Sequence, residues 1–446
     1  MQKNEIREVT LADVLDARER RAELQKKLLG EYGSTLISFT MNIAGPVKST
    51  PLIERAFDFG LDELLSRLPK DRIFFKSIKR DFCGCEAMIS IDMNSTEAKE
   101  ICMNIEELSC LGRLFDMDVI NSIGKKLDRK IERSCIVCGK SGRECAAGRV
   151  HSVSEIVAVN QKIMADHFAK IDAERLGELA AECLIKEVET TPKPGLVDRS
   201  NSGSHTDMNV DTFRKSVIAI KPYLTECVRI GIENQTNSVS YTFDLLRRAG
   251  LLAERSMYDA TGGVNTHKGV IYSMGVLLAA IGRLWQSDNP VAKVEDIMSM
   301  VSSLVCVSYV DDLKGASGAT AGERLYLERG LKGVRGEVAG GFSSVVKYAL
   351  PIYEKYLING SSSNDAGVYA LLSLIASIDD TNLYNRGGKE GSDFAKSYAK
   401  RILNEKIDLD AVAEMDREFI KRRLSPGGSA DLLAITYLLY DIKSYK

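Results

Sequence analysis

Beyond about residue 156 strand-like alternation nearly disappears. Apolar residues instead recur with helical spacing over 173–189, 211–231, 238–256, 266–286, 294–312, 343–357, 365–377, 391–404 and 429–441. So many amphipathic helices can bury their apolar stripes only against one another, which predicts an all-helical domain with its chemistry in the loops. The earlier part mixes signals. Leu11 to Gly30 is a charged amphipathic helix ended by glycine, Leu61 to Leu68 and Thr96 to Leu108 read as helices, and Thr35 to Ile43 and Ala87 to Met93 read as strands. The expected fold is two domains, an N-terminal α+β domain over 1–155 and a C-terminal all-α domain over 173–446. Residues 156–172 carry a helical pattern of their own (Ile156, Val157, Val159, Ile163, Met164, Phe168), so a connecting helix is expected there.

The bulk properties bound the function. A formal net charge of -2 on 446 residues argues against nonspecific nucleic-acid binding and against a polybasic membrane surface. The best apolar run, Val270 to Ile281, is flanked by Lys268 and Arg283 and reads as a core helix, being shorter than the roughly 20 residues that span a bilayer. Met1 to Val14 lacks a signal-peptide core, so a cytoplasmic enzyme is expected, with neither nucleic acid nor membrane as partner. Seven of the ten cysteines precede residue 150, which in such a chain points to reduced thiols or metal ligands. Cys183, Cys227 and Cys306 sit in helical apolar patterns and read as small core residues.

The densest chemistry lies in the loop from Glu189 to Met208, which gathers Lys193, Asp198, Arg199, His205 and Asp207 among prolines, glycines and hydroxyls. Connectors are usually shorter and plainer, so this reads as a binding loop. The same character returns at 263–269, 311–323, 335–342, 379–388 and 425–431. Gly263-Val264-Asn265-Thr266-His267-Lys268-Gly269 opens a helix whose free N–H groups, with Lys268, would seat a phosphate; capping alone explains Asn265 but not the His-Lys pair. Asp311-Asp312 closes an apolar helix where negative charge opposes the macrodipole, so a cation is expected there, with magnesium on a polyphosphate as one source and solvent as the plain alternative. Arg335 and Arg386 add planar donors suited to phosphate oxygens. No Walker loop and no Rossmann fingerprint is present.

In the N-terminal part, Asp116 and Asp118 stand two apart in an apolar run, so on a strand both face one side and suit a divalent ion beside a phosphate. Thr40 to Lys48 is a strand running into a Gly-Pro turn, either a substrate loop or merely a turn. Cys135, Cys138 and Cys145 with His151 offer the ligand types of structural zinc. Their spacing fits no standard finger, however, and nearby Arg143 and Arg149 point equally to a phosphate, so zinc is the less favoured reading. His167 lies in a helical pattern and reads as non-catalytic.

These residues carry two resemblances. From about 173 to 442 the chain resembles triphosphoribosyl-dephospho-CoA synthase, through E-x-T-P-K-P-G-L-V-D-R-x-N-S-G-x-H-x-D-M (189–208), G-V-N-T-H-K-G (263–269), the segments in 320–342, D-T-N (380–382), R-G-G (386–388) and P-G-G-S-A-D-L-L-A (426–434). Residues 5 to about 155 resemble apo-citrate lyase phosphoribosyl-dephospho-CoA transferase, through N-I-x-G-P-x-K (42–48), G-R-L-F-D-M-D-V (112–119) and the cysteine segment (135–152). The order resembles the fused form of the two enzymes.

The resemblance implies that the helical domain joins ATP and 3′-dephospho-CoA with release of adenine, and that the first domain passes the product to a serine of the citrate lyase acyl carrier (gamma) chain with release of pyrophosphate. It implies magnesium, held by Asp311 and Asp312 in one domain and by Asp116 and Asp118 in the other. Asp207 and Glu323 join these carboxylates as candidate metal or base groups. Lys193, Asp198, Arg199, His205, His267, Lys268, Arg335 and Arg386 would bind substrate in the helical domain, and Lys48 and Arg149 in the first. The alternative is a magnesium-dependent hydrolase of ribosyl bonds fused to a carrier-binding domain.

Overall fold

The computed structural model describes residues 7–129, 132–314, 321–405 and 408–445, and for 307–314 and 321–322 the backbone alone. Cα proximity divides the chain into two compact units, 1–169 and 170–446.

The first unit runs α1 (Leu11–Tyr32), β1 (Thr35–Met41), α2 (Pro51–Arg67), β2 (Ile73–Asp81), β3 (Gly84–Ile91), α3 (Ser95–Leu108), β4 (Phe115–Ile120), α4 (Gly142–Ala147) and the start of α5 (Val153–Glu189). Its four strands form an antiparallel sheet in the order β2-β3-β1-β4. Alternation gives the sheet two different faces. Ile37, Phe39, Ala87, Ile89, Met117 and Val119 make one, which is buried, with the Phe39 and Phe57 rings stacked at 4.8 Å. The other carries Leu36, Ser38 and Thr40 of β1 beside Ser90, Met88 and Glu86 of β3 and Ile120, Asp118 and Asp116 of β4. Leu28 of α1 covers its apolar end, against Leu36, Met88 and Ile120. The polar end is left for chemistry.

Strand β2 was not anticipated, because its charged Lys76, Lys79 and Arg80 mask the alternation; such charges are how an edge strand avoids further pairing. The start of α5 packs within the first unit, where His167 meets the Phe59 ring edge-on at 4.5 Å and Arg55 covers Phe168.

The second unit is helical throughout its described residues: the end of α5, then α6 (Val210–Glu233), α7 (Val239–Thr261), α8 (Lys268–Arg283), α9 (Val294–Lys314), α10 (Ala321–Arg329), α11 (Gly333–Ala339), α12 (Leu350–Ile358), α13 (Ser363–Ser377), α14 (Thr381–Asn404), α15 (Leu409–Lys421) and α16 (Gly427–Asp441). Helices α8, α13 and α16 are apolar nearly all round and form the centre of the core. Segments expected as loops at 335–342 and 379–388 lie largely in α11 and α14. Gly388, at φ 61, interrupts α14, so only its second half showed helical periodicity. The expected helix at 343–357 is a π-helical turn, Val345–Ala349, followed by α12. No described helix is long and apolar enough to cross a membrane.

Candidate active sites

In the helical unit the loop from Glu189 to Met208 is tied down by its own polar groups. Asp198, expected to face substrate, is buried and accepts from Thr191 Oγ1 (2.7 Å) and the N–H groups of Lys193 (2.9 Å), Ser200 (2.7 Å) and Asn201 (3.0 Å). It therefore shapes the loop and has little capacity left for a ligand. Asp416 of α15 accepts from Gly195 N–H (2.8 Å) and Asn201 Nδ2 (2.9 Å), and Ser204 donates to Leu424 O (2.6 Å), fixing the loop to the turn before α16.

Beneath this loop lies a cavity of about 380 Å³ lined by Glu187, Lys193, His205, the segment 265–270, Thr381, Asn382, Arg386, Gly427, Gly428 and Asp431, among others. Four of the chemically dense segments, 189–208, 263–269, 379–388 and 425–431, thus converge on it. Lys193 is 1% exposed, and its ammonium donates to Glu187 Oε1 (2.6 Å) and Glu187 O (2.7 Å). Two of its three donors are committed, leaving one. Burial raises the Glu187 carboxyl against the Lys193 charge.

His267 is buried at the start of α8. Thr266 Oγ1 donates to Ser216 Oγ (2.7 Å), so the Ser216 hydrogen is left for His267 Nδ1 (2.7 Å), which places the ring proton on Nε2. That Nε2 is buried without a hydrogen-bond partner among the described residues. Burial, aided by the Lys193 charge, pushes the ring down to about 3, so His267 is a neutral donor at ordinary pH. His205 bonds Ser425 Oγ (2.9 Å) and Arg386 Nη2 (3.3 Å); burial and then Arg386 lower it, against Asp207.

Asp431, one turn into α16, completes the cavity wall. Its carboxylate has no hydrogen bond among the described residues and lies against Gly269, where an added Cβ would sit 3.2 Å from Asp431 Cγ and closer still to Oδ2. Burial, then the Glu187 and Asp380 charges, raises this carboxyl well above the usual range. Asp380 differs: it accepts from Ser429 N–H and Oγ (2.7 and 2.9 Å) and from Asn382 N–H (2.8 Å), clamping α14 to α16.

Two further cavities adjoin. One of about 350 Å³ is lined by Lys332, Glu337, Asp379 and Asp380, and shares Val334, Thr381 and Gly428 with the first. The other, of about 340 Å³, is lined by Tyr223, Phe243, Leu246, Tyr272, Arg247 and Arg335, and shares Lys268, Gly269 and Val334. Lys268 pairs with Glu254 at 3.0 Å. Arg199 bonds Asn364 Oδ1 (3.0 Å) from an exposed position, and Asp207 is exposed, 4.0 Å from His205 Nδ1. Glu323 lies in the first turn of α10. The Asp311 and Asp312 side chains lie outside the described residues.

In the first unit Asp116 and Asp118 share one strand face, as their spacing predicts, but their surroundings differ. Asp118 pairs with Lys126. Asp116 has no hydrogen bond among the described residues and opens into a cavity of about 240 Å³ with Thr40, Glu86, Lys48, Arg18 and Arg21. Its carboxyl is raised by partial burial and by the Asp118 charge. Lys48 donates to Ile43 O and is lowered by burial and by Arg18. Arg21 is held by Glu86. Arg18, on the charged face of α1, was missed, since nothing in that face distinguishes one arginine from the next. Arg149 lines a neighbouring cavity with Arg113, Arg143 and the cysteine cluster, and Asn42 borders both.

The cluster itself brings Cys135, Cys138, Cys145 and His151 together, their ligand atoms all within 4.8 Å of one another. The N–H groups of Cys138 and Val137 pull the Cys135 thiol down to about 6.

Comparison with known proteins agrees with this division. The family model described as ATP:dephospho-CoA triphosphoribosyl transferase matches residues 173–446, and that described as apo-citrate lyase phosphoribosyl-dephospho-CoA transferase matches 9–167. Protein CitXG of Haemophilus influenzae is 37% identical over 448 residues, covering 96% of this chain and 95% of its own. Protein CitXG of Leuconostoc mesenteroides subsp. cremoris is 32% identical, with 97% of each chain covered. The 2-(5''-triphosphoribosyl)-3'-dephosphocoenzyme-A synthase of Pectobacterium atrosepticum is 40% identical over 64% of this chain and 94% of its own. The chain therefore belongs to the family of fused enzymes that join an ATP:dephospho-CoA triphosphoribosyl transferase to an apo-citrate lyase phosphoribosyl-dephospho-CoA transferase.

Proposed function

We infer that the two units perform consecutive steps, the second-unit reaction first. There the ribose 2′-hydroxyl of 3′-dephospho-CoA attacks C1′ of the ATP ribose, the C1′–N bond to adenine breaks, and the hydroxyl proton passes to Asp431. The leaving adenine nitrogen takes a proton from solvent, Asp431 returns the one it accepted, and the triphosphate stays on the transferred sugar. The observation that carries this reading is the Asp431 carboxylate. It faces a cavity, lacks a hydrogen-bond partner among the described residues, and is raised toward the basicity a general base needs. The neutral His267 Nε2–H, Lys268 and the α8 N-terminus supply donors for phosphate or ribose oxygens. The apolar cavity around Phe243 and Tyr272 suits a ring or an aliphatic arm, with Arg247 and Arg335 at its polar edge.

In the first unit the carrier serine hydroxyl attacks the innermost phosphate of the product, a P–O bond forms, and pyrophosphate leaves. Asp116 is the carboxylate free to take part, Lys48 and Arg18 face the charge building on phosphorus, and Arg149 extends the basic surface from the adjoining cavity. The oxygen donors of Asp116 and Asp118 fit magnesium in type, which when bound would neutralise phosphate oxygens. Asp311 and Asp312 are the corresponding proposal in the helical unit. We assign the transferase to residues 1–155 and the synthase to 173–446, with 156–172 joining them.

The test is chromatographic detection of adenine from the purified chain given ATP and magnesium, with and without 3′-dephospho-CoA. Release only with dephospho-CoA, lost in Asp431→Asn, is the expected result. Release without it would make the helical unit a ribosyl hydrolase.

A further inference from the structure

Residues 132–152 bury little apolar surface; polar ties hold their start, where Arg133 pairs with Glu106 (2.6 Å) and donates to Phe115 O (2.9 Å). Among the described residues from 121 to 155, Cys145 alone is buried, and Val150 and Val153 are 62% and 58% exposed. Segments this poor in apolar burial ordinarily need a disulfide or a metal. Backbone hydrogen bonds nevertheless set the course of this one. Ser134 and Ser141 form an antiparallel bridge, Cys135 N–H donates to Lys140 O (2.6 Å), and Gly139 N–H donates to Cys135 O (2.9 Å). Gly139, at φ 74, lets the chain reverse directly after Cys138. This tight turn brings the two cysteines of Cys135-Ile136-Val137-Cys138 to one side. Ser141 then caps α4 at Glu144 N–H (3.3 Å), α4 carries Cys145 inward, and Val150 N–H returns to Cys145 O (3.0 Å), delivering His151 to the same point.

The four donor groups therefore arrive from a turn, a helix and the segment after it. Their atoms lie within 4.8 Å of one another, and Cys138 Sγ and Cys145 Sγ are 3.5 Å apart. Sulfurs about 2.3 Å from a common zinc stand roughly 3.8 Å apart in a tetrahedron. An independent observation comes from the imidazole: His151 Nε2 is buried and has no hydrogen-bond partner among the described residues.

We propose that Cys135, Cys138, Cys145 and His151 form a structural zinc site that holds residues 132–152 in place beside the transferase cavity. The set is S₃N, soft enough to select zinc over magnesium, and with four protein ligands it leaves no open position for catalysis. With its three sulfurs as thiolates and the imidazole neutral, the complex has one net negative charge. Arg113, Arg143 and Arg149 line the same cavity and offset it. The spacing need not match that of a finger, which is fixed by one hairpin and one helix, because here His151 arrives from beyond the helix. The arginines beside the cluster do not compete with this reading, since the metal would fix the segment that carries Arg143 and Arg149.

The test uses the full-length chain, purified under reducing conditions and equilibrated with zinc before desalting. Elemental analysis is expected to give about one zinc per chain, released in step with titration of thiols by a mercurial. Cobalt(II) in its place should give the visible bands of a tetrahedral thiolate site. Cys138→Ser and His151→Ala should each lose the metal, and Cys306→Ser, in the other unit, should keep it. Adenine release serves as the check that the variant chains are otherwise folded. Zinc below a tenth of an equivalent in the unaltered chain, with no cobalt bands, would overturn the proposal whatever the variants do. So would a Cys138–Cys145 disulfide that persists under the reducing conditions, or metal retained by Cys138→Ser.

Discussion

Replacing Gly269 by alanine separates chemistry from folding in the helical unit. The position is the second residue of α8, where alanine is the better helix former by about 0.5–1 kcal/mol. Helix propensity thus predicts no loss of stability. The added methyl, however, meets the Asp431 carboxylate, placed 3.2 Å from Cγ and well inside contact with Oδ2. The carboxylate has to move by about 1 Å, and a misplacement of that size at a reacting group costs on the order of 10²-fold in rate. Adenine release from ATP and dephospho-CoA, followed at saturating substrate, should fall by about that factor, while the melting temperature stays within a few degrees. Asp431→Asn should fall further, by 10²- to 10⁴-fold as expected for loss of a general base. A Gly269→Ala chain that turns over at the unaltered rate would refute the assignment of Asp431, because no relaxation can keep both the methyl and the carboxylate where they are.

Other outcomes follow from the same geometry. Asp116→Asn should slow prosthetic-group transfer to the carrier by about 10²-fold or more and leave adenine release unchanged, measured by intact mass of the carrier. Lys193→Met strands Glu187 in the core and should cost about 3–5 kcal/mol in urea unfolding, with most of it recovered in Lys193→Met/Glu187→Gln. His267, pushed down to about 3 from an ordinary value of 6.5, binds fewer protons folded than unfolded between those pH values. Its contribution to stability is therefore full above about 6.5 and lost as pH falls toward 3, on the order of 4 kcal/mol in all, so His267→Gln should flatten the acid limb of the stability curve. Nitrogen NMR should find the ring neutral, with its proton on Nε2, throughout the pH 5–8 range in which free histidine titrates.

The parts of the fold carried by local pattern were legible in the sequence. Helical periodicity marked α6 to α9, α13 and α16, and the D-x-D spacing put Asp116 and Asp118 on one strand face. Strand β2 and helices α10, α11 and α15 escaped, the first because charges mask its alternation, the others because they are short or strongly charged. The loop motifs led to the right cavity but not to each residue's place in it. Asp198 and Asp431 look alike as loop carboxylates in the sequence; only the fold shows four donors on one and, among the described residues, none on the other. Asp431 stands in the P-G-G-S-A-D-L-L-A segment, and its pairing with Gly269, 162 positions away by number (431 less 269), is a tertiary fact. The cysteine cluster was visible as residue types, and its convergence was not.

If one chain carries two separable reactions that share an intermediate, two singly inactive variants must complement each other. Asp431→Asn and Asp116→Asn chains, each unable to modify the apo acyl carrier alone, should together restore its full mass gain from ATP, magnesium and 3′-dephospho-CoA, with adenine appearing in step. A mixture that releases adenine but leaves the carrier unmodified, or one in which neither occurs, would contradict the account.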